Sequence, residues 1–244
     1  MIAGPNGSGK TTLTRYLQAR GVEFGEYINP DDIAASLQGS YDERVRAAQQ
    51  IADKRRDDCI ASRRDFAFET VMSHPSKIDV MRRARAAGFH VTLFFVGTDD
   101  PRINIARVNA RVALGGHSVR EDLIVARYHR TMEALIEAAL TADRTVVFDN
   151  SRCGEGKGLR AVLELCFNEQ RSKRQDGIVE FSFDKLKGDN YRTKAALFLS
   201  RIANLIEILH IPQWITHHLL VKLSVRQLEP GLSPGFVLRV IPPE

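Results

Sequence analysis

An α/β fold, with a parallel sheet flanked by helices, is the class this 244-residue sequence predicts. Three observations predict it. Short apolar runs alternate with long stretches of helical periodicity over the first 150 residues. A glycine-rich loop joins the first run to the first helix. Carboxylates stand just past the second run and at the end of the third, where open α/β sheets bind their ligands.

The runs read as strands are Met1-Ile2-Ala3, Glu26–Asn29, Phe66–Glu69, His90–Val96 and Thr145–Asp149. Helices are predicted to start near Lys10, Asp42, Pro75, Pro101 and Arg120. In the last of these, Leu123, Tyr128, Met132, Leu135, Ile136 and Leu140 recur at helical spacing and read as a core stripe. The helix over Asp42–Arg64 carries Val45, Ala48, Ile51, Ala52 and Ile60 among many charges, so it should bury one face and solvate the other.

After Ser151 the pattern changes. Gly154, Gly156 and Gly158 open a loop, Leu159–Phe167 reads as a helix, and Gln170–Gly177 is a polar, mostly basic break. Ile178–Phe183 reads as a strand, Ala195–Leu209 as an apolar-rich helix followed by Pro212–Leu223. The end holds Pro230, Pro234, Pro242 and Pro243 and reads as loop or tail. Two regions are therefore expected: 1–151, built around the glycine-rich loop, and 152–244, a C-terminal extension of mixed helix and loop that could form a small lobe.

Composition narrows the class without naming a function. Hydrophobic residues are 43% and charged residues 27% of the chain, ordinary for a globular protein. No apolar run is long enough to span a membrane. The three cysteines, Cys59, Cys153 and Cys166, lack metal-ligand spacing and suit a reducing compartment. Gly4 follows the start too closely for a signal peptide, so the expected location is cytoplasmic. The net charge of +5 falls mostly after residue 150, with no aromatic-interleaved basic patch that would argue for nucleic acid. Only three residues precede Gly4, fewer than a central strand usually has. Either the chain starts inside its first strand or the true start lies upstream.

The chemistry is carried by Gly4-Pro5-Asn6-Gly7-Ser8-Gly9-Lys10-Thr11, which satisfies the pattern G-x-x-x-x-G-K-[ST]. Such a loop curls so that several backbone N–H groups point at one phosphate, and the helix opening at Lys10 adds the positive end of its dipole. Lys10 would reach the β- and γ-phosphates of ATP, and the Thr11 hydroxyl would hold Mg²⁺, with Thr12 continuing the phosphate-binding set.

Switches, motors and kinases share this loop, and other residues must separate them. Asn29-Pro30-Asp31-Asp32 sets two carboxylates beyond the second strand. One of them there can accept the proton of an attacking hydroxyl, while the other caps the next helix. Glu69 ends an apolar run where a polar partner is expected, a sugar hydroxyl or a water on Mg²⁺. Arg107, Arg111, His117, Arg120 and Arg127 span two helical segments hinged at Gly115-Gly116, and arginines on such a flap can stabilise a transferring phosphoryl group.

Together these residues resemble the zeta-toxin family of P-loop kinases. The resemblance rests on Gly4–Thr11, Asn29-Pro30-Asp31-Asp32, Phe68-Glu69-Thr70, Arg111–His117 with Arg127-Tyr128, and Phe148-Asp149-Asn150-Ser151. It implies an adenylate-kinase-like sheet, ATP with Mg²⁺, and phosphorylation of a nucleotide sugar such as UDP-N-acetylglucosamine. Asp31 then matches the catalytic base, Glu69 and Thr70 the substrate-side motif, and Arg111 and Arg127 the arginines that close on the phosphates. Arg120 is assigned no role. An antitoxin protein is the partner implied, and Pro212-Gln213-Trp214 faintly resembles a Pro-x-Trp near the end of some relatives. Two other functions stay open: a kinase of another small hydroxylated substrate or a nucleic-acid end, and a nucleotide-binding interaction module without chemistry.

Overall fold

The computed structural model describes residues 1–152, 158–167, 179–182, 212–215 and 236–241. The expected helix over Ala195–Leu209, the basic break over Gln170–Gly177 and most of Pro212–Leu223 lie outside them, as do Cys153 and the glycines at 154 and 156.

The alternating elements arise where the sequence places them. Strands β1 (Ile2–Ala3), β2 (Glu26–Ile28), β3 (Phe66–Thr70), β4 (Thr92–Gly97) and β5 (Arg144–Asp149) pair in parallel in the order β2-β3-β1-β4-β5. Between them run α1 (Lys10–Ala19), α2 (Pro30–Ser36), α3 (Tyr41–Ala61), α4 (Ser76–Ala86), α5 (Pro101–Ala113) and α6 (Glu121–Thr141). A capping box between Ser40 and Glu43 starts α3, and Asp100 caps α5 through the backbone N–H of Arg102.

The period-two alternation of the strands decides which face each residue fills. Ala3, Leu93, Phe95 and Val147 face Met81 of α4 and Met132 and Leu135 of α6. Ile2, Val96, Val146 and Phe148 face Leu13 and Leu17 of α1. Both faces of the sheet are thus covered, as a parallel sheet requires. Within α3 the expected division holds for Ala48 and Ala52, which are buried, whereas Ile51 is exposed.

Two expectations about the C-terminal region need correction. Arg160–Phe167 is a strand, β6, antiparallel to β5, where Leu159–Phe167 reads as a helix. Val162, Leu163, Leu165 and Cys166 are all buried, and so is Glu164 between them, so both faces are covered and the run has no clear period to separate strand from helix. Phe236–Val240, within the stretch expected to be loop, is a strand too, β8. It lies between prolines rather than on them, which leaves its N–H groups free for the ladder to β6. The strand expected over Ile178–Phe183 is present as β7 (Val179–Ser182), paired with β8. The sheet therefore continues as β5-β6-β8-β7, and a single helical turn, α7 (Gln213–Ile215), packs with the α4–α6 face.

Candidate nucleotide site

Strand order reverses at β1, whose neighbours β3 and β4 lead to opposite sides of the sheet. Such a switch point opens a crevice beyond the carboxyl ends of the strands. The loop from Gly4 to Gly9 leaves β1 there and enters α1.

Gly7 and Gly9 have φ of 73° and 100°, values that favour glycine. Space is as restrictive as conformation. A Cβ at Gly7 would lie 2.6 Å from the Asn104 carbonyl oxygen, and one at Gly9 would lie 2.4 Å from Asn150 Nδ2. Two asparagines hold this curl from outside. Asn104 Nδ2 of α5 donates to the Asn6 carbonyl at 2.6 Å, and Asn150 Nδ2, just past β5, donates to the Ser8 carbonyl at 2.8 Å. Asn104 is itself held by the Thr98 hydroxyl, and Tyr128 OH donates to the Thr98 carbonyl at 2.7 Å.

The first intrahelical bond of α1 is Leu13 N–H to the Gly9 carbonyl at 2.9 Å. The N–H groups of Lys10, Thr11 and Thr12 precede it and are available to an anion at the helix start. Thr11 and Thr12 are exposed. Ser8 Oγ and Asn6 Oδ1 are buried without a hydrogen-bond partner. Lys10 Nζ donates to the carbonyls of Gly4 at 3.1 Å and Pro5 at 3.0 Å, folded over the mouth of the loop.

Lys10 is the electrostatic centre of the site. Burial holds its pKa below the ordinary lysine value; Glu69 and then Asp31 pull it back up, and Arg111 pushes it down. Four of the residues singled out from sequence are therefore close enough to feel one another's charge. Arg127, half-buried on α6, is not among the charges acting on Lys10.

Glu69 is buried at 6% exposure, and its Oε1 accepts from Thr14 Oγ1 and Tyr27 OH, each at 2.6 Å. Burial first, and then Glu69, pushes the Tyr27 phenol above its usual value, so it remains a donor. Thr70 binds the loop through its carbonyl, which accepts from Gly4 N–H at 3.3 Å, while its hydroxyl accepts from Met72 N–H at 3.0 Å.

The expectation that Asp31 or Asp32 caps the following helix is corrected. Asn29 Oδ1 accepts from Asp31 N–H at 3.1 Å and is the N-cap of α2, with Pro30 in the first turn. A cap must precede the turn whose N–H groups it satisfies, and both aspartates already lie within that turn. Their carboxylates are exposed and favoured there by the helix dipole.

The segment between α5 and α6 folds back toward this side. Arg111 Nη2 donates to the His117 carbonyl at 3.1 Å, and the His117 ring lies 5.6 Å from that of Tyr41 at the start of α3. Gly115 has φ of 86°, and Leu114 is 89% exposed. Arg120 pairs with Asp122 on the surface. Among the described residues no group of three or more His, Cys, Asp or Glu side chains is arranged to hold a metal. No helix of the described residues is long and apolar enough to cross a membrane. A cavity of about 870 Å³ lies at the opposite, amino-terminal end of the strands, lined by Met1, Phe24, Phe66, Phe89 and Arg144 among others.

A parallel sheet reversing at β1 and a glycine loop with its lysine at the helix start define a P-loop protein. The chain belongs to the zeta toxin family, whose model matches residues 1–155. It is similar to an uncharacterized protein of Haemophilus influenzae (strain ATCC 51907 / DSM 11121 / KW20 / Rd), 34% identical over 129 residues covering 51% of this chain and 88% of the relative. Among solved structures it is similar to a chain of the AvrRxo1-ORF1:-ORF2 complex crystallised with ATP, at a TM-score of 0.49 and 15% identity. That match covers 68% of this chain and 57% of the other. The PezAT chromosomal toxin-antitoxin system of Streptococcus pneumoniae matches at a TM-score of 0.47 and 15% identity, over 65% of this chain and 69% of that one.

Proposed function

We propose that the protein is an ATP-dependent kinase that phosphorylates a sugar hydroxyl of a nucleotide sugar, in the manner of UDP-N-acetylglucosamine kinases. The observation that carries this reading is that Lys10 beyond β1, Glu69 at the end of β3 and Asp31 beyond β2 stand at the carboxyl ends of three neighbouring strands.

The residues present fit ATP and magnesium. Two loop glycines leave space that a Cβ would fill, Ser8 Oγ and Asn6 Oδ1 lack partners, and Thr11 is exposed at the helix start. Thr11 would hold Mg²⁺ together with nucleotide oxygens, and the ion would neutralise charge between the phosphates. The loop N–H groups and Lys10 orient the β- and γ-phosphates. Asp31 accepts the proton of the acceptor hydroxyl as its oxygen bonds to the γ-phosphorus. The bond from that phosphorus to the β-γ bridging oxygen breaks, and ADP leaves. Lys10, Arg111 and, from α6, Arg127 meet the charge spread over the equatorial oxygens. Glu69, fixed by Thr14 and Tyr27, favours the charged form of Lys10 against the effect of burial, and with Thr70 it borders the acceptor. An antitoxin protein is the partner that we propose beside the small-molecule substrate.

Incubating the chain with ATP, Mg²⁺ and a panel of nucleotide sugars, free sugars and oligonucleotide ends tests this by mass spectrometry. The expected result is one added phosphate on a nucleotide sugar, lost in Lys10→Ala. Phosphate added to an oligonucleotide end instead, or ATP bound with no acceptor modified, would overturn the reading.

A further inference from the structure

Trp214 belongs to the short turn α7, beyond the region that the family model matches. It is 4% exposed and lies against the carboxyl ends of β4 and β5, the strand ends that support the phosphate-binding loop. A Cβ on Gly97 would come within 2.6 Å of its ring, so the indole rests on bare backbone at the last residue of β4. Its ring centroid is 6.1 Å from that of Phe95, and its Nε1–H donates to Asp149 Oδ1 at 3.3 Å.

Asp149 is a hub. The same Oδ1 accepts from Ser151 N–H at 3.2 Å and from the Ser151 hydroxyl, and that hydroxyl accepts from Asp99 N–H at 3.0 Å. The next residue, Asn150, donates its backbone N–H to the Gly97 carbonyl at 2.9 Å, directly under the indole. The side chain of Asn150 then holds the Ser8 carbonyl and fills the space beside Gly9. A continuous path thus runs from the indole through Asp149 and Gly97 to Asn150 and into the loop.

We propose that Trp214 is a positioning residue for nucleotide binding: it fixes Asp149 and the β4 end so that Asn150 is aimed at Ser8. The C-terminal segment is therefore part of the apparatus that shapes the loop. The inference rests on the reading of the loop as an ATP site, but it concerns the loop's conformation and can be measured without nucleotide.

The test uses the full chain with Trp214→Phe, which keeps the ring packing and loses the N–H donor, and with Asp149→Ala, which removes the acceptor and leaves the indole in place. Hydrogen exchange of residues 4–12 without nucleotide should quicken in both variants, while exchange in α3 is unchanged. By calorimetry, Trp214→Phe should weaken ATP binding by about 5-fold, in line with one ordinary hydrogen bond lost. In an Asn150→Ala background the same change should cost less than about 2-fold, because its target is gone. Trp214 is the chain's one tryptophan, so its emission should also shift when ATP binds. Wild-type loop exchange in both variants, or an equal loss of affinity with and without Asn150, would overturn the proposal. Failure of the wild-type chain to bind ATP, with the exchange effect intact, would instead overturn the nucleotide reading and leave the positioning role standing.

Discussion

Thr14 of α1 and Glu69 of β3 share a hydrogen bond of 2.6 Å, both residues being buried beside the one lysine of the loop. This bond joins α1 to the carboxyl end of β3. It also fixes a carboxylate where it raises the pKa of Lys10 against the larger, opposite effect of burial.

Glu69→Gln tests that arrangement, since glutamine keeps an acceptor for Thr14 and Tyr27 and removes the charge. Lys10 already titrates below the ordinary lysine value, and without Glu69 it should titrate lower still. Phosphate binding needs the charged form, so ATP affinity should begin to fall at a lower pH than in the wild type. The folded chain binds fewer protons here than the unfolded chain, so stability rises with pH between the folded and unfolded values of Lys10. Glu69→Gln should widen that window downward. Titrations of ATP binding and urea unfolding between neutral and alkaline pH measure both effects. An alkaline limb unmoved by the substitution would show that Glu69 does not act on Lys10.

Gly7→Ala places a methyl group against the Asn104 carbonyl in a backbone conformation that alanine resists. The cost should be about 1–3 kcal/mol, seen as a melting temperature lower by roughly 3–10 °C. ATP affinity should fall as well, because the N–H groups that face the phosphate turn with the loop. Thermal melts with and without ATP measure this, and a variant with wild-type melting and affinity would contradict the described curl.

Much of this site is legible in the sequence because its residues are tied to pattern. The loop is a spacing of glycines, and Asp31 and Glu69 are acidic residues at the ends of apolar runs. The supports are not legible in the same way. Asn104 is an asparagine inside a helix, Asn150 gains its role only where β5 passes the loop, and Trp214 arrives from more than 60 residues further on. Leu159–Phe167 misleads because burial on both faces erases the alternation that marks a strand, and Phe236–Val240 because prolines on either side draw the eye to turns. Asp31 and Asp32 suggest a cap by composition, but Asn29 precedes them and takes that place.

The segment from Gly115 to Arg127 should close over bound nucleotide. Its hinge glycine, an exposed Leu114, and side-chain contacts at its surface, from Arg111 to the His117 carbonyl, from Asn109 to Glu121 and between the His117 and Tyr41 rings, hold it loosely. Hydrogen exchange there should slow on adding a non-hydrolysable ATP analogue with Mg²⁺. Equal protection with and without the analogue would contradict a closing lid.

Asp31 is the proposed base of the phosphoryl transfer, and Asp31→Asn measured beside Asp32→Asn tests that role. Both residues lie in the first turn of α2 and neither is its cap, so each substitution should cost little stability, about 1 kcal/mol or less, through the helix dipole. The charge of Asp31 acts on Lys10 and that of Asp32 on Tyr27. Asp31→Asn should bind ATP within a few-fold of wild type and lose about two to four orders of magnitude in transfer rate, the usual contribution of a general base. Asp32→Asn should transfer phosphate within a few-fold of wild type. Transfer at the wild-type rate by Asp31→Asn would contradict the account, and loss confined to Asp32→Asn would move the base by one residue.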